Sequence, residues 1–269
     1  VVRDIDDAQR LMESAKKSKD ILISGMGVLS VELAWQFREL GKRVAMVGAT
    51  PQIMPRQLNA RAGELIEDRL AKNKIKLLFQ EEILSFEQNN KGAMEVQMIK
   101  HSGTYDMVVF CIGVDSRTAL AEQAELDVDR GVRVDEHLVT SDPDIYAAGD
   151  VAEHPGGNMT HVWEAAAHQG RIAGINAAGG DVVFEQPAFA VETEVFGSHF
   201  LSINKPQNPL GYVIDETEEE DTYVCFYYQE DALSGVIAVN DGERRGAYEE
   251  AVRNSWSRDD VESQFLPVV

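Results

Sequence analysis

Ile21-Leu22-Ile23-Ser24-Gly25-Met26-Gly27-Val28-Leu29-Ser30 is the stretch whose reading decides the fold. A short apolar run such as Ile21–Ile23 suits a strand buried on both faces. A Gly-x-Gly turn directly behind it lets the backbone fold back tightly and approach a pyrophosphate. From Val31 to Leu40 the apolar spacing is helical, and Gly41 stands in a C-cap position. Arg43-Val44-Ala45-Met46-Val47 reads as the next strand. A strand, a helix and a strand in so short a span make a parallel crossover unit. The charge of a bound pyrophosphate then belongs at the helix N-terminus; a tight turn without ligand is the plainer alternative. Gly25, Gly27 and Ser30 are the binding residues this reading singles out.

Two departures limit it. Ser30 stands where a third glycine would let helix and strand pack most closely, so a slightly wider spacing is expected. Gly48 stands where a carboxylate at the end of the second strand would hold the adenosine ribose 2′-hydroxyl. The choice between NADH and NADPH is therefore open, and Arg56 is the nearest cation that a 2′-phosphate would meet.

Outward from this unit, Asp4–Lys17 has helical spacing with Asp4 or Asp6 as N-cap, and Leu58–Asn73 is a second amphipathic helix. Ile75–Phe79, Ile83–Phe86, Met94–Ile99 and Met107–Cys111 read as strands, the middle ones as a meander with turns such as Asn89–Gly92. Val132–Val134 is a further candidate strand, and Ile145–Asp150 reads as a strand ending in a Gly-Asp turn. The Ala-rich segment Trp163–Ala178 is a helix broken by Gly179-Gly180. Beyond Pro187, strands near Phe200–Ile203, Tyr212–Ile214, Tyr223–Tyr228 and Leu233–Val239 suggest a mostly antiparallel domain. Asp215–Asp221 reads as a solvated acidic loop and Tyr248–Trp256 as a late helix.

The 269 residues are 44% hydrophobic, enough to bury a core, and carry 46 acids against 25 Lys plus Arg, a net charge of −21. Such a surface repels nucleic acid and anionic lipid. Cys111 and Cys225 are far apart and in no C-x-x-C pair, which argues against a disulfide framework and fits a cytoplasmic setting. No apolar run is long enough to span a bilayer. No residue pattern points to a metal site or to a catalytic acid, base or nucleophile.

Thr140-Ser141-Asp142-Pro143-Asp144-Ile145-Tyr146-Ala147-Ala148-Gly149-Asp150 carries the second signal. It resembles the second FAD motif of the pyridine nucleotide–disulfide oxidoreductase superfamily, the flavoproteins with two dinucleotide-binding domains. The resemblance implies that Asp150 accepts from the ribityl hydroxyls of FAD with Gly149 permitting close approach; a helix N-cap is the alternative role for Asp150. Ile21–Val47 resembles the family's inserted NAD(P)H domain, with Glu32 at the acidic position near the nicotinamide or, equally, an ordinary surface glutamate. Phe110-Cys111-Ile112-Gly113-Val114 resembles the loop that crosses the nucleotide, Gly113 being the matching glycine and Cys111 a plain buried residue. Trp163, Ala166, Gln169 and Gly170 match the helix whose N-terminal end approaches the flavin pyrimidine; Trp163 lies beside the flavin in one reading and in the core in the other.

The resemblance implies an α/β fold: a Rossmann-like NAD(P)H-binding domain with an N-terminal linker helix (1–117), the second part of an FAD-binding domain (118–183) and an α+β C-terminal interface domain (184–269). It implies hydride transfer from NADH or NADPH to FAD, then electrons onward to a small redox protein or oxygen. The tail, with Tyr228 and Ala232–Ile237, is similar to rubredoxin reductase, ferredoxin reductase and the flavin part of NADH-dependent nitrite reductase, and lacks the His–Glu pair of glutathione reductase-like members. A homodimer is a possible assembly. The family's first strand–glycine turn–helix, which grips the ADP end of FAD, has no counterpart before Ile21, so that segment is expected from the parent chain or another subunit. Two rival readings are a non-catalytic nucleotide-binding or regulatory module with degenerate sites, and a dehydrogenase without flavin, which leaves the Asp150 motif unexplained.

Overall fold

The computed structural model describes residues 4–185 and 188–265. They form two compact units, one up to Ile112 and again from Ala190 onward, the other Gly113–Phe189.

The first unit opens with α1 (Ile5–Lys17), whose N-cap Asp4 accepts from the Asp7 N–H at 2.8 Å. Strand β1 (Asp20–Ser24), α2 (Val28–Glu39) and β2 (Arg43–Gly48) follow as the expected crossover, then α3 (Ala60–Lys72) and β3 (Lys76–Phe79). The meander is β4 (Ile83–Gln88), β5 (Met94–Met98) and β6 (Ser102–Tyr105), and β7 (Met107–Phe110) returns to the main sheet. That sheet has the order β3-β2-β1-β7, with every pairing parallel. Helix α2 starts at Val28 rather than Val31, because Gly27 takes the N-cap and the small Ser30 fits, fully buried, into the first turn.

The second unit contains α4 (Ala119–Gln123), β8 (Val132–Arg133), β9 (Ala152–Glu153) and α5 (Trp163–Ala177). Ile145–Asp150 is not a strand: Tyr146 makes a single bridge to Val139, and Gly149–Val151 is a 3-10 turn. Its core gathers Val134, Leu138, Ala152, Ile172 and Ala173.

From Ala190 the chain adds β10 (Ala190–Val195), β11 (Ser198–Ile203), β12 (Val213–Glu219), β13 (Thr222–Gln229) and β14 (Ala232–Val239), an antiparallel sheet in the order β10-β11-β14-β13-β12, followed by α6 (Arg245–Arg253) and α7 (Arg258–Phe265). The acidic segment 215–221, expected as a loop, is mostly edge strand β12, and only Glu220-Asp221 turn the chain. The strand tolerates its charges because one edge is open to water and Arg61 and Arg258 pair with Glu218 and Asp215. Charge along an open edge also discourages pairing with a further strand. The late helix begins at Arg245 instead of Tyr248, and Trp256 lies beyond its end.

One core runs from the main sheet through α2 and α3 into the antiparallel sheet: Ile21, Ile23, Phe37 and Ile66 share it with Phe200, Tyr223 and Ile237. On the other face of that sheet, the rings of Phe226 and Phe265 stack at 5.9 Å, and Tyr248 packs against both. Among the described residues, no helix is long and apolar enough to cross a membrane. Phe226→Ala is expected to cost about 3–5 kcal/mol in urea unfolding, as a buried aromatic truncation does, whereas Phe86→Ala, at a site 47% exposed, should cost well under half as much.

Candidate functional site

The turn after β1 is fixed by both neighbouring strands. The Gly25 N–H donates to the Val47 carbonyl at 2.8 Å, and the Cys111 N–H donates to the Ser24 carbonyl at 2.7 Å. The turn therefore sits where β1 has β2 on one side and β7 on the other, the switch point at which open α/β sheets bind ligands. Gly25 has φ +131°, and a Cβ there would lie 2.2 Å from the Cys111 carbonyl oxygen and 2.7 Å from Ser30 Oγ. No side chain fits.

Gly27 differs. Nothing lies within 4 Å of where its Cβ would be, and its backbone is extended, with φ −87°. It caps α2 without a side-chain hydrogen bond, and the first turn holds no acid. Among the described residues, the leading N–H groups of α2 thus have no side-chain acceptor, the arrangement that favours an anion. The Cys111 thiol is pushed above its ordinary pKa by burial, with the Ser30 hydroxyl acting in the opposite sense. Glu32, one turn further along α2, is half-buried and accepts from the Thr193 hydroxyl of β10 at 3.0 Å. It is tied to the antiparallel sheet rather than being a free surface glutamate.

In the second unit, Gly149 is buried with φ +78°, and a Cβ there would come within 3.2 Å of Ala166 Cβ on α5. Its N–H donates at 2.6 Å to Oε1 of Gln169, which is fully buried and whose amide nitrogen reaches Thr160 Oγ1 at 3.3 Å. Gln169 thus latches the Gly-Asp turn to the helix, a role the sequence did not assign; its one signal there is an amide on the buried face of an Ala-rich helix. Asp150 follows in the 3-10 turn, which Ala148 caps, so the N-cap role falls away. The Asp150 residue is exposed, and its main-chain carbonyl accepts from Ser116 Oγ at 2.7 Å. Trp163 is the first residue of α5 and 82% exposed, which excludes the core-packing reading. Gly113, with φ +115°, is exposed with open space around it. The structure thus gathers Gly25, Gly27 and Ser30 at the start of α2, and holds the turn of Gly149 and Asp150 against Gln169 of α5.

Residues 1–180 match the model of the pyridine nucleotide-disulphide oxidoreductase family. The chain belongs to that family. Pyridine nucleotide-disulphide oxidoreductases use FAD and NAD(P)H. Among curated members, the ferredoxin–NAD(+) reductase component of the 3-phenylpropionate/cinnamic acid dioxygenase of Photorhabdus laumondii is 30% identical over 249 residues, covering 90% of this chain and 62% of that protein. The NADH-rubredoxin oxidoreductase of Clostridium acetobutylicum is 26% identical over 258 residues, covering 96% of this chain and 64% of that protein. The chain therefore spans less than two thirds of the length of these relatives. Among solved structures, the NAD-dependent persulfide reductase of A. fulgidus superposes with a TM-score of 0.89 at 19% identity, over 99% of this chain and 54% of that one, a likeness of fold.

The two glycines of the turn after β1 should separate in a melting experiment. Gly25→Ala is expected to lose about 1–3 kcal/mol from backbone strain alone, and more from the clash with the Cys111 carbonyl. Gly27→Ala should leave the melting temperature close to wild type.

Proposed function

We propose that this chain carries the nicotinamide-nucleotide site and part of the flavin site of an FAD-dependent NAD(P)H oxidoreductase. The observation that carries the reading is the uncapped N-terminus of α2 behind a turn whose first glycine admits no side chain. The pyrophosphate of NADH or NADPH belongs there, held by main-chain N–H groups, with Gly25, Gly27 and Ser30 shaping the turn. Glu32, oriented by Thr193, is the acid that would face the nicotinamide. On the flavin side, Gly149 and the exposed carboxylate of Asp150 suit the sugar hydroxyls of FAD, and Gln169 keeps their turn in place. Trp163 offers an exposed aromatic face at the start of α5, where Val162 makes no side-chain cap.

The chemistry that bound FAD and NAD(P)H supply is hydride transfer from nicotinamide to flavin, with electrons passing onward. This chain's residues bind and orient; hydride transfer asks for no protein acid or base. A small redox protein or oxygen is the proposed acceptor, ferredoxin and rubredoxin being named for the relatives. A second strand–glycine turn–helix, from the parent chain or another subunit, would hold the ADP end of FAD.

The test is the visible absorption spectrum of the purified chain, titrated with FAD and then with NADH or NADPH. Nucleotide binding by the chain is expected, with flavin bands that survive gel filtration and bleach on adding the nucleotide once the segment that holds the ADP end of FAD is supplied. Asp150→Ala should weaken FAD retention by roughly ten- to a hundredfold, the worth of a hydrogen bond to a charged group, and leave nucleotide binding intact. A chain that retains neither FAD nor nucleotide would count against the reading.

A further inference from the structure

At the end of β2, the position that commonly reads the ribose of the nucleotide is Gly48. Its backbone does not require glycine. Gly48 lies in regular strand geometry, paired with Phe79, and is absent from the residues with positive φ. Its neighbour does require it: a Cβ at position 48 would lie 2.5 Å from Met26 Cγ, 3.6 Å from Met26 Cβ and 3.5 Å from Met26 Cε. Met26 is the residue between the two glycines of the turn. Its side chain is 5% exposed and part of the main core, and its carbonyl accepts the Met54 N–H at 2.8 Å. With Cγ the atom in the way, swinging only the end of the thioether would make no room.

The described carboxylates nearest this strand end are engaged elsewhere, Glu67 accepting the Ile53 N–H at 3.2 Å. Glu81 donates its N–H to the Gly48 carbonyl at 3.1 Å, but its carboxylate is buried, accepts the Lys100 N–H at 2.7 Å and pairs with His101. From Gly48 to Gly63 the sequence holds no acid, and the first charged group is the exposed Arg56.

Resting on the nucleotide site proposed above, we infer that Met26 takes the space of the ribose-reading carboxylate, so that the site accepts NADPH without a marked preference for NADH. A carboxylate discriminates in two ways, by accepting from the 2′-hydroxyl and by repelling the 2′-phosphate. Met26 can do neither. It removes the repulsion, and by filling the space it also prevents a single substitution at position 48 from restoring it.

The experiment is calorimetric titration of the chain with NADH and with NADPH, for the wild type, Gly48→Asp, and Gly48→Asp combined with Met26→Ala, each checked by thermal melting. The wild type should bind NADPH no more than about threefold more weakly than NADH, since no like-charge penalty is present. Gly48→Asp alone should keep that ratio, and the double variant should move it at least about tenfold towards NADH. A wild-type preference for NADH beyond threefold would overturn the inference, and that measurement depends on no variant folding. A shift in Gly48→Asp as large as in the double variant would overturn it too. If neither nucleotide binds the wild type, the proposed nucleotide site fails, and the inference with it; this result is distinct from tight binding with the wrong preference.

Discussion

The narrow gap at the end of β1 constrains most of the first unit. There the chain must reverse between the carbonyl of Val47 on one side and that of Cys111 on the other, and the space admits a hydrogen atom at Gly25 and nothing larger. Because the reversal is so tight, α2 begins at once, at Val28, with its leading N–H groups unclaimed by any side-chain cap. Because α2 begins there, Ser30 falls beneath it, fully buried, and Met26 is pressed across the end of β2. A looser turn would shift the helix, and with it the face carrying Val31, Ala34 and Phe37 into the core.

The parallel crossover was legible in the sequence because its signals are local: an apolar run, two glycines and a helical period. The expected helix start fell three residues late because the Gly-x-Gly-x-x-Ser motif reads as a loop when scanned for apolar spacing, although its second half is already helix. Segment 215–221 misled for the opposite reason. A run of acids signals solvation, yet backbone pairing with β13 and the cations Arg61 and Arg258 are supplied from elsewhere in the chain. Strands β6 and β10, polar or mixed in composition, are likewise set by their partners β5 and β11 and carry little signal of their own.

The site shows the same division. Residues whose role is set by backbone geometry, Gly25 and Gly149, announce themselves as glycines in tight turns. Those whose role is set by a distant partner do not. Gln169 reads as one polar residue in a helix until its side chain is seen holding the Gly149 N–H. Glu32 reads as a surface acid until Thr193, far along the chain, donates to it. Gly48 reads as a lost carboxylate, and only the position of Met26 shows that the loss is sterically enforced.

The antiparallel sheet has a part in this that its sequence does not suggest. The segment after β2 leaves the glycine turn at the Met26–Met54 hydrogen bond and then presents three successive carbonyls, each held from the other side. Lys205 Nζ reaches Pro55 O at 2.9 Å, Gln207 Nε2 reaches Arg56 O at 2.9 Å, and Ser202 Oγ reaches Gln57 O at 2.6 Å. Burial lowers the pKa of the Lys205 ammonium, a cost accepted at a residue whose ammonium donates to a main-chain carbonyl. At the end of the segment, the Asn59 side chain caps α3 and donates to the Tyr223 hydroxyl at 2.6 Å. A loop held at both ends and along its length loses little freedom when a ligand settles against it, which is how preorganisation raises affinity. The sheet that closes the core thereby also fixes the loop bordering the glycine turn, and the fold of this unit and its proposed nucleotide site rest on the same contacts.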